Sequence, residues 1–313
     1  MQITSSEHAR RLNRALDFID SNLAEPLSLE RVAEAACYSP YHFHRIFKAT
    51  MGETLNRYIQ RLRIEKAASA LLMTSSSITD IALDCGFSGS ATFARAFKET
   101  YGVSAGIWRS TCGKHKSKIH QRFRNLPKDV AVKPVYSPSK PIEWRIFMEN
   151  ELATTVRVEE LPPMEVSYLR HVGAYQGNTE LFTGLIEKLF AWSGSRGLLR
   201  FPETRLLSIY HDNEPFTDDD KLRVSVCLTV PEETPAEGEF GRMRLEGGLY
   251  AIAPFTILPD QYGKAWDSLC SKWLPISGYQ SDNRPCFEFY LNNPEEHPEG
   301  KHDVEICVPV KPA

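Results

Sequence analysis

The sequence predicts a two-domain protein. The N-terminal part is all-α, two helix-turn-helix subdomains joined by a long helix; the C-terminal part is α+β, built from two pseudo-repeated strand/helix units. Three observations carry this. A chain of 313 residues is long for one core and comfortable for two. The period of its apolar residues changes from helical to alternating near residue 155. Each half also repeats itself, at about 50 residues in the first and about 80 in the second.

Composition narrows the classes. A hydrophobic share of 42% and a charged share of 25% are those of a globular protein, and no apolar run approaches the length of a membrane span. The opening "MQITSSEHARRLNRALDFID" reads as a polar amphipathic helix without an apolar signal core. Seven cysteines without a CxxC pair argue for reduced thiols and against a structural zinc, so a cytoplasmic protein without metal or cofactor is expected. The net charge of −3 is unevenly spread. Lys and Arg against Asp and Glu number 13 against 11 in residues 1–113, 9 against 3 in 114–149, and 15 against 26 in 150–313. Such asymmetry suggests a first half that faces nucleic acid and an acidic second half with another task.

The first repeat pairs "SLERVAEAACYSPYHFHRIFKATMG" from Ser28 with "SITDIALDCGFSGSATFARAFKETYG" from Ser77. Leu29, Val32, Ala33, Tyr38 and Ser39 match Ile78, Ile81, Ala82, Phe87 and Ser88. After one inserted turn residue, Phe43, Arg45, Phe47, Lys48 and Gly52 match Phe93, Arg95, Phe97, Lys98 and Gly102. Each copy reads as a short helix, a tight turn and a second helix. Ser28 and Ser77 are N-cap residues, and Ser39-Pro40 is a cap followed by a first-position proline. Between the copies, Leu55, Tyr58, Ile59, Leu62, Leu71 and Leu72 keep helical spacing over Thr54 to Met73, roughly 30 Å of helix. Such a spacer holds two recognition helices about one DNA turn apart, so a monomer can engage double-stranded DNA, with dimerisation left open.

In the first recognition helix Phe43, Ile46 and Phe47 form the buried stripe, which leaves Tyr41, His42, His44 and Arg45 for base contacts. In the second, Ser90, Ala91, Thr92 and Arg95 point outward and are mostly short, so less direct readout is expected there. Lys48, Arg57, Arg61, Arg63 and Lys98 are phosphate candidates. The bland alternative is that these are solvated helix faces. His42 and His44, two residues apart on a helix, point apart and are not expected to hold a metal.

The run from "LERVAEAACYSPYHFHRIFKATMGETLNRYIQRLRIEKAASALL" through "ITDIALDCGFSGSATFARAFKETYGVSAGIWR" closely resembles the DNA-binding domain of the AraC/XylS transcription regulators. The resemblance covers about 105 residues and both motifs. It implies two small helical subdomains joined by a long helix, bound to successive major-groove faces of promoter DNA. The less polar Gly89-Ser90-Ala91 departs from many members.

The boundaries expected are 1–112 for the DNA-binding domain, a basic linker over 113–152, and 153–313 for the second domain. The stretch "GKHKSKIHQRFRNLPKDVAVKPVYSPSKP" has the composition of a linker, with some strand near Val130 to Val135.

In the second half, one unit reads "VRVEELPPMEVSYLRHVGAY", a helix with Phe182, Leu185, Ile186, Leu189 and Trp192, then "RLLSIYHDNEP" and "KLRVSVCLTVP". The other reads "GRMRLEGGLYAIAPF", a helix with Trp266, Leu269 and Trp273, then "CFEFYLNNP" and "DVEICVPV". Tyr210 corresponds to Tyr290 at an offset of 80. Two such units should pack as a pseudo-twofold pair, with a groove for a small molecule at their junction. Glu288 interrupts an apolar strand and, by alternation alone, lies either on a solvated face or against a cavity.

The ordered set "YLRHVGAY", "IYHDNEP", "WLPISGY" and "CFEFYLNNP…VEICVPV" resembles the GyrI-like effector-binding domain over about residues 153–311. An AraC-type domain followed by this one is the Rob-type architecture. The resemblance implies that Glu288 lies at the bottom of an aromatic pocket and faces a lipophilic cation. Tyr168, Tyr210, Phe255, Trp266 and Tyr290 are the expected wall, Tyr290 sharing a strand face with Glu288. Two other readings are a hydrolase with Glu288 as general base, and a protein-interaction module for RNA polymerase or another partner without a small ligand.

Overall fold

The computed structural model describes residues 5–111, 131–135, 143–147, 154–212, 217–282 and 284–312. It divides into two compact units, the first carrying the N-terminal helices and the second the strands.

The helices of the first unit are α1 (Ser5–Ser21), α2 (Leu29–Ala35), α3 (Pro40–Met51), α4 (Leu55–Met73), α5 (Ile78–Asp84), α6 (Ser90–Tyr101) and α7 (Ala105–Thr111). Their ends follow from local chemistry. The side chains of Ser28, Thr54 and Ser77 accept the backbone N–H groups of Arg31, Arg57 and Asp80, satisfying donors that a helix start leaves orphaned. α3 and α6 each stop at a left-handed glycine, Gly52 at φ 72° and Gly102 at φ 73°. The repeat is thus reproduced in the N-caps of α2 and α5 and the C-caps of α3 and α6, but not in the N-caps of α3 and α6, where Ser39, whose side chain makes no cap hydrogen bond, stands against Gly89.

Phe43, Phe47, Leu55, Tyr58, Ile59 and Leu62 share one core with Ala15, Leu16 and Ile19 of α1. Farther along α4, Ile64, Ala67, Ala68 and Leu71 are buried as well, and Ala68 accepts a hydrogen bond from Trp108 Nε1 at 3.3 Å. Trp108 packs edge-on against Phe97, which touches Phe93. Each fully buried phenylalanine contributes about 1.5–3 kcal/mol. α4 is therefore a shared spine, which explains why its hydrophobic pattern runs around more than one face.

The second unit is one antiparallel sheet of eleven strands among the described residues. The strands are β1 (Ala131–Val135), β2 (Glu143–Phe147), β3 (Thr154–Leu161), β4 (Met164–Val172), β5 (Leu206–Tyr210), β6 (Arg223–Thr229), β7 (Gly241–Leu245), β8 (Gly248–Ile257), β9 (Tyr279–Ser281), β10 (Cys286–Tyr290) and β11 (His302–Pro312). Helix α8 (Thr179–Gly194) lies between β4 and β5 in sequence. Helix α9 (Tyr262–Asp267) follows β8 and continues in wider π turns through Ser268–Trp273. Both β1 and β2 fall within the stretch expected as linker, and most of the rest of that stretch lies outside the described residues. No helix among the described residues is long and apolar enough to cross a membrane.

The central strand order is β3-β8-β11-β10-β5-β6-β4-β7. Exchanging β3, β4, β5 and β6 with β7, β8, β10 and β11 reverses this order onto itself. The 80-residue repeat is therefore a pseudo-twofold pair, and its axis passes between β5 and β10. Directly paired residues share a face of the sheet. Tyr168, Leu207, Ile209, Phe287, Phe289 and Cys307 occupy one face. On the other, Ala251, Ala253, Phe255, Val304 and Ile306 pack with Ala265, Leu269 and Trp273 of the second helical segment.

Candidate functional site

The pseudo-axis places Glu288 directly opposite Ser208, its counterpart 80 residues earlier. Glu288 has no exposed surface, although it sits on the helix-bearing face of the sheet. Burying an uncompensated carboxylate costs several kcal/mol, and the surrounding residues supply the compensation. The Tyr210 hydroxyl donates to Oε2 at 2.9 Å. Trp266 Nε1, reaching down from α9, donates to Oε1. Tyr290 shares its single hydrogen between Ser208 Oγ at 3.0 Å and Glu288 Oε2 at 3.3 Å. A bare carboxylate facing a cavity is thus replaced by one already held by three donors.

Burial, and then the carboxylate's charge, hold the phenols of Tyr210 and Tyr290 well above the ordinary tyrosine range. Both therefore remain protonated donors throughout the neutral range. Tyr262, one turn before Trp266, is raised by burial, Tyr290 and Glu288, and its hydroxyl pairs with His302 Nδ1 at 2.8 Å. The Cys286 thiol, on the Glu288 face, is pushed up to about 12, chiefly by burial, and is no ready nucleophile.

An aromatic series crosses the axis. Phe182 of α8 meets Tyr175 edge-on at 6.2 Å, Tyr175 meets Tyr210 at 5.8 Å, and Tyr210 meets Trp266 edge-on at 5.6 Å. Aromatic side chains from both repeats thus surround a single buried charge. Such ring faces attract a cation that the carboxylate also attracts.

Of the wall expected from sequence, Tyr210, Trp266 and Tyr290 meet at Glu288. Phe255 pairs with Val304, which pairs with Tyr290, so it shares the face but sits in the adjoining core. Tyr168 is not brought to this face. Its register runs Tyr168 to Cys227, Cys227 to Leu207 and Leu207 to Phe289, so it lies on the opposite side of the sheet from Glu288. Ser208, Tyr175 and Tyr262 were missed. Ser208 was accessible through the 80-residue offset, and Tyr262 through its i−4 position from Trp266.

In the helical unit, Tyr41, His42, His44, Arg45 and Lys48 are exposed on α3, and Ser90, Thr92, Arg95 and Lys98 on α6. Arg45 lies over the Tyr41 ring at 5.8 Å, and Tyr41 is 70% exposed. Arg57 is exposed on α4. The other two phosphate candidates are engaged internally. Arg61 pairs with Glu53 at 2.8 Å and Glu65 at 3.3 Å, and lies over the Tyr58 ring. Arg63 donates to the carbonyls of Leu23 at 2.9 Å and Glu25 at 2.6 Å.

Residues 154–311 match the GyrI-like small molecule binding domain, and residues 32–111 match a helix-turn-helix domain. The DNA gyrase inhibitor of Edwardsiella piscicida is 33% identical over 160 residues, covering 50% of this chain and 97% of that protein. The right origin-binding protein of Escherichia coli is 39% identical over 94 residues, covering 30% of this chain and 32% of that protein. The HTH-type transcriptional regulator YbfP of Bacillus subtilis is 33% identical over 149 residues, 46% of this chain and 48% of its own length. The chain thus spans about half or less of the last two relatives. It belongs to the GyrI-like small-molecule-binding family and carries ahead of that domain an AraC-type helix-turn-helix, the Rob-type architecture of a DNA-binding transcription regulator.

Proposed function

We propose that the C-terminal domain binds a hydrophobic cation as its effector, with Glu288 as counter-ion and Tyr210, Trp266 and Tyr290 as the aromatic surround. The observation that carries this reading is a fully buried carboxylate enclosed by aromatic side chains from both repeats. Proteins seldom bury a charge without use for it, because an apolar residue of similar volume is often no less stable. Hydrolysis with Glu288 as base is the weaker reading, since its oxygens already accept from three donors. Against promoter DNA, Tyr41, His42, His44 and Arg45 are the principal base-reading set, with Ser90, Thr92 and Arg95 contributing less. Lys48, Arg57 and Lys98 bind phosphates. The working boundaries are residues 1–112, a linker over 113–152, and 153–313, in a protein of the bacterial cytoplasm.

The test is a thermal-shift series on the full chain with cationic, neutral and anionic amphiphiles of matched size. Stabilisation by cations alone supports the assignment, and equal stabilisation by neutral analogues removes the counter-ion role. A second reading has its own support. The DNA gyrase inhibitor matches over nearly its whole length, which fits a C-terminal domain that binds a protein partner. A gyrase complex unaffected by Glu288→Gln, together with no cation effect, would favour it.

A further inference from the structure

We infer that the turn carrying Phe201 is a self-association surface, through which two copies of this chain pair tip to tip about a twofold axis. The pairing is independent of the effector and DNA readings above.

Between α8 and β5 the chain makes a closed turn. The Thr204 N–H donates to the Arg200 carbonyl at 2.7 Å. Thr204 Oγ1 accepts from the Arg200 N–H at 2.9 Å and donates to the Leu198 carbonyl at 3.1 Å. Thr229 Oγ1, at the end of β6, accepts from the Arg205 N–H at 2.8 Å and donates to the Glu203 carbonyl at 3.1 Å. The turn is thereby fixed to the sheet, with Phe201 and Pro202 exposed at its tip. At 65% exposure, Phe201 is the most exposed large apolar side chain of the second unit among the described residues. Its ring stacks on Phe190 of α8 at 6.4 Å and 15°. A single exposed apolar side chain is ordinary. A ring held out on a fixed turn and backed by a second ring binds with little further loss of freedom.

The flanking charges identify what covers it. Arg200 and Glu203 stand on either side of Phe201-Pro202, and both are exposed. Among the described residues neither side chain forms an ion pair within the chain; their bonds here are those of the backbone. A tip with a cation at one end and an anion at the other complements itself after a half turn, the signature of an isologous contact. When two tips meet antiparallel, Arg200 of each copy faces Glu203 of the other, and the two Phe201 rings meet at the axis. An acidic peptide or a nucleic-acid backbone would satisfy Arg200 but oppose Glu203, and such like-charge contacts are unfavourable. A contact of this size stays below the roughly 1,200 Å² of stable interfaces, so the pair is transient, with a dissociation constant on the order of 10–100 μM.

Sedimentation velocity of the 313-residue chain, without DNA or effector, over roughly 2 to 200 μM reads the pairing. Wild type is expected to pass reversibly from monomer toward dimer across that range. Arg200→Glu and Glu203→Arg each set like charges against each other at both contacts, and Phe201→Ser removes the rings from the axis. Each is expected to weaken dimerisation at least about tenfold. The deciding comparison mixes the two charge variants. One presents two acids and the other two bases, so an equimolar mixture is expected to form a heterodimer although each alone stays monomeric. The double variant Arg200→Glu/Glu203→Arg restores the complementarity in reverse order and is expected to dimerise like wild type. Both recoveries require folded chains, so they separate lost contact from lost structure.

Wild type that remains monomeric up to about 200 μM overturns the inference and leaves the tip to a different partner. A dimer unaffected by the three substitutions also overturns it, by placing the contact elsewhere. If the single variants weaken the dimer but neither their mixture nor the double variant recovers it, Arg200 and Glu203 do not meet across the axis and the pairing is refuted.

Discussion

Glu288 and Ser208 are paired residues on adjacent antiparallel strands and are also equivalent positions of an 80-residue repeat. One half of the duplication thus contributes the charge, and the other a small hydroxyl that leaves room for it. Tyr210 and Tyr290, equivalent in the same way, both direct hydroxyls to Glu288 Oε2. The symmetry of the scaffold is broken at this pair, and again at Trp266, whose counterparts in the first repeat are Leu185 and Ile186.

On the effector reading proposed above, Ser208 acts as a positioning residue. Ser208→Ala removes the alternative acceptor for the Tyr290 hydrogen, which should then turn wholly to Oε2. The expected outcome is unchanged folding and cation binding a few-fold weaker, as the tighter hydrogen bond withdraws charge from the carboxylate. Calorimetric titration checks this, and stronger binding in the variant would contradict it.

Cys37 and Gly86 occupy the same turn in the two helix-turn-helix copies, at φ 55° and φ 83°. Cys37 is the one non-glycine residue with positive φ among the described residues. Left-handed backbone costs an L side chain roughly 1–2 kcal/mol, partly offset by the freedom glycine loses on folding. Cys37→Gly should raise the stability of the helical domain by roughly 0.5–1 kcal/mol. Gly86→Ala should cost more than that, since its Cβ would lie 2.7 Å from the Leu23 carbonyl and 2.8 Å from Arg63 Nε. Thermal melts of the two variants measure both, and equal changes of the same sign would refute the strain argument.

Basic residues in the helical domain should separate by what already holds them. Lys48→Ala and Lys98→Ala should each lower the salt slope of DNA binding by about one, and Arg45→Ala should relax base preference in one half-site. Arg61→Ala should leave the slope nearly unchanged and lower stability instead, because its guanidinium pairs with Glu53 and Glu65. Binding isotherms at several salt concentrations distinguish these outcomes. A unit fall in slope for Arg61→Ala would show that it reaches phosphate.

His211 gives the fold a pH dependence. Burial first, and then the charges of Arg170 and Arg223, hold its pKa well below the ordinary histidine value of about 6.5. The folded imidazole is neutral while the unfolded one takes up a proton near pH 6.5. Its contribution is complete above that pH and is lost progressively as pH falls toward the depressed folded value. Unfolding free energy should thus fall below pH 6.5 by an amount approaching about 1.4 kcal/mol per pH unit. Denaturant titrations of wild type and His211→Gln check this, and an identical acid slope in the variant would assign the effect elsewhere.

These cases also show which features were legible in the sequence. The paired helix-turn-helix units could be read because caps, left-handed glycines and 3.6-residue periodicity are local. Ser28, Ser77, Gly52 and Gly102 do in the structure what their residue types favour. Alternation put Tyr290 on the Glu288 face for the same reason. Tyr168 was out of reach, since strand alternation allows either face and only the register through Cys227 and Leu207 decides. Arg63 has the same helical spacing as a solvated arginine, and the carbonyls it serves lie about 40 residues earlier. The three donors on Glu288 come from β5, α9 and β10, a convergence that only tertiary structure creates.

The most direct measurement is the affinity of the 313-residue chain for tetraphenylphosphonium, with triphenylphosphine oxide as a neutral comparison, in wild type and Glu288→Gln. Removing one partner of a buried charge pair should weaken cation binding by about 30-fold or more. Binding of the neutral compound should change little. Equal phosphonium affinity in wild type and Glu288→Gln would contradict the assignment of Glu288 as the counter-ion.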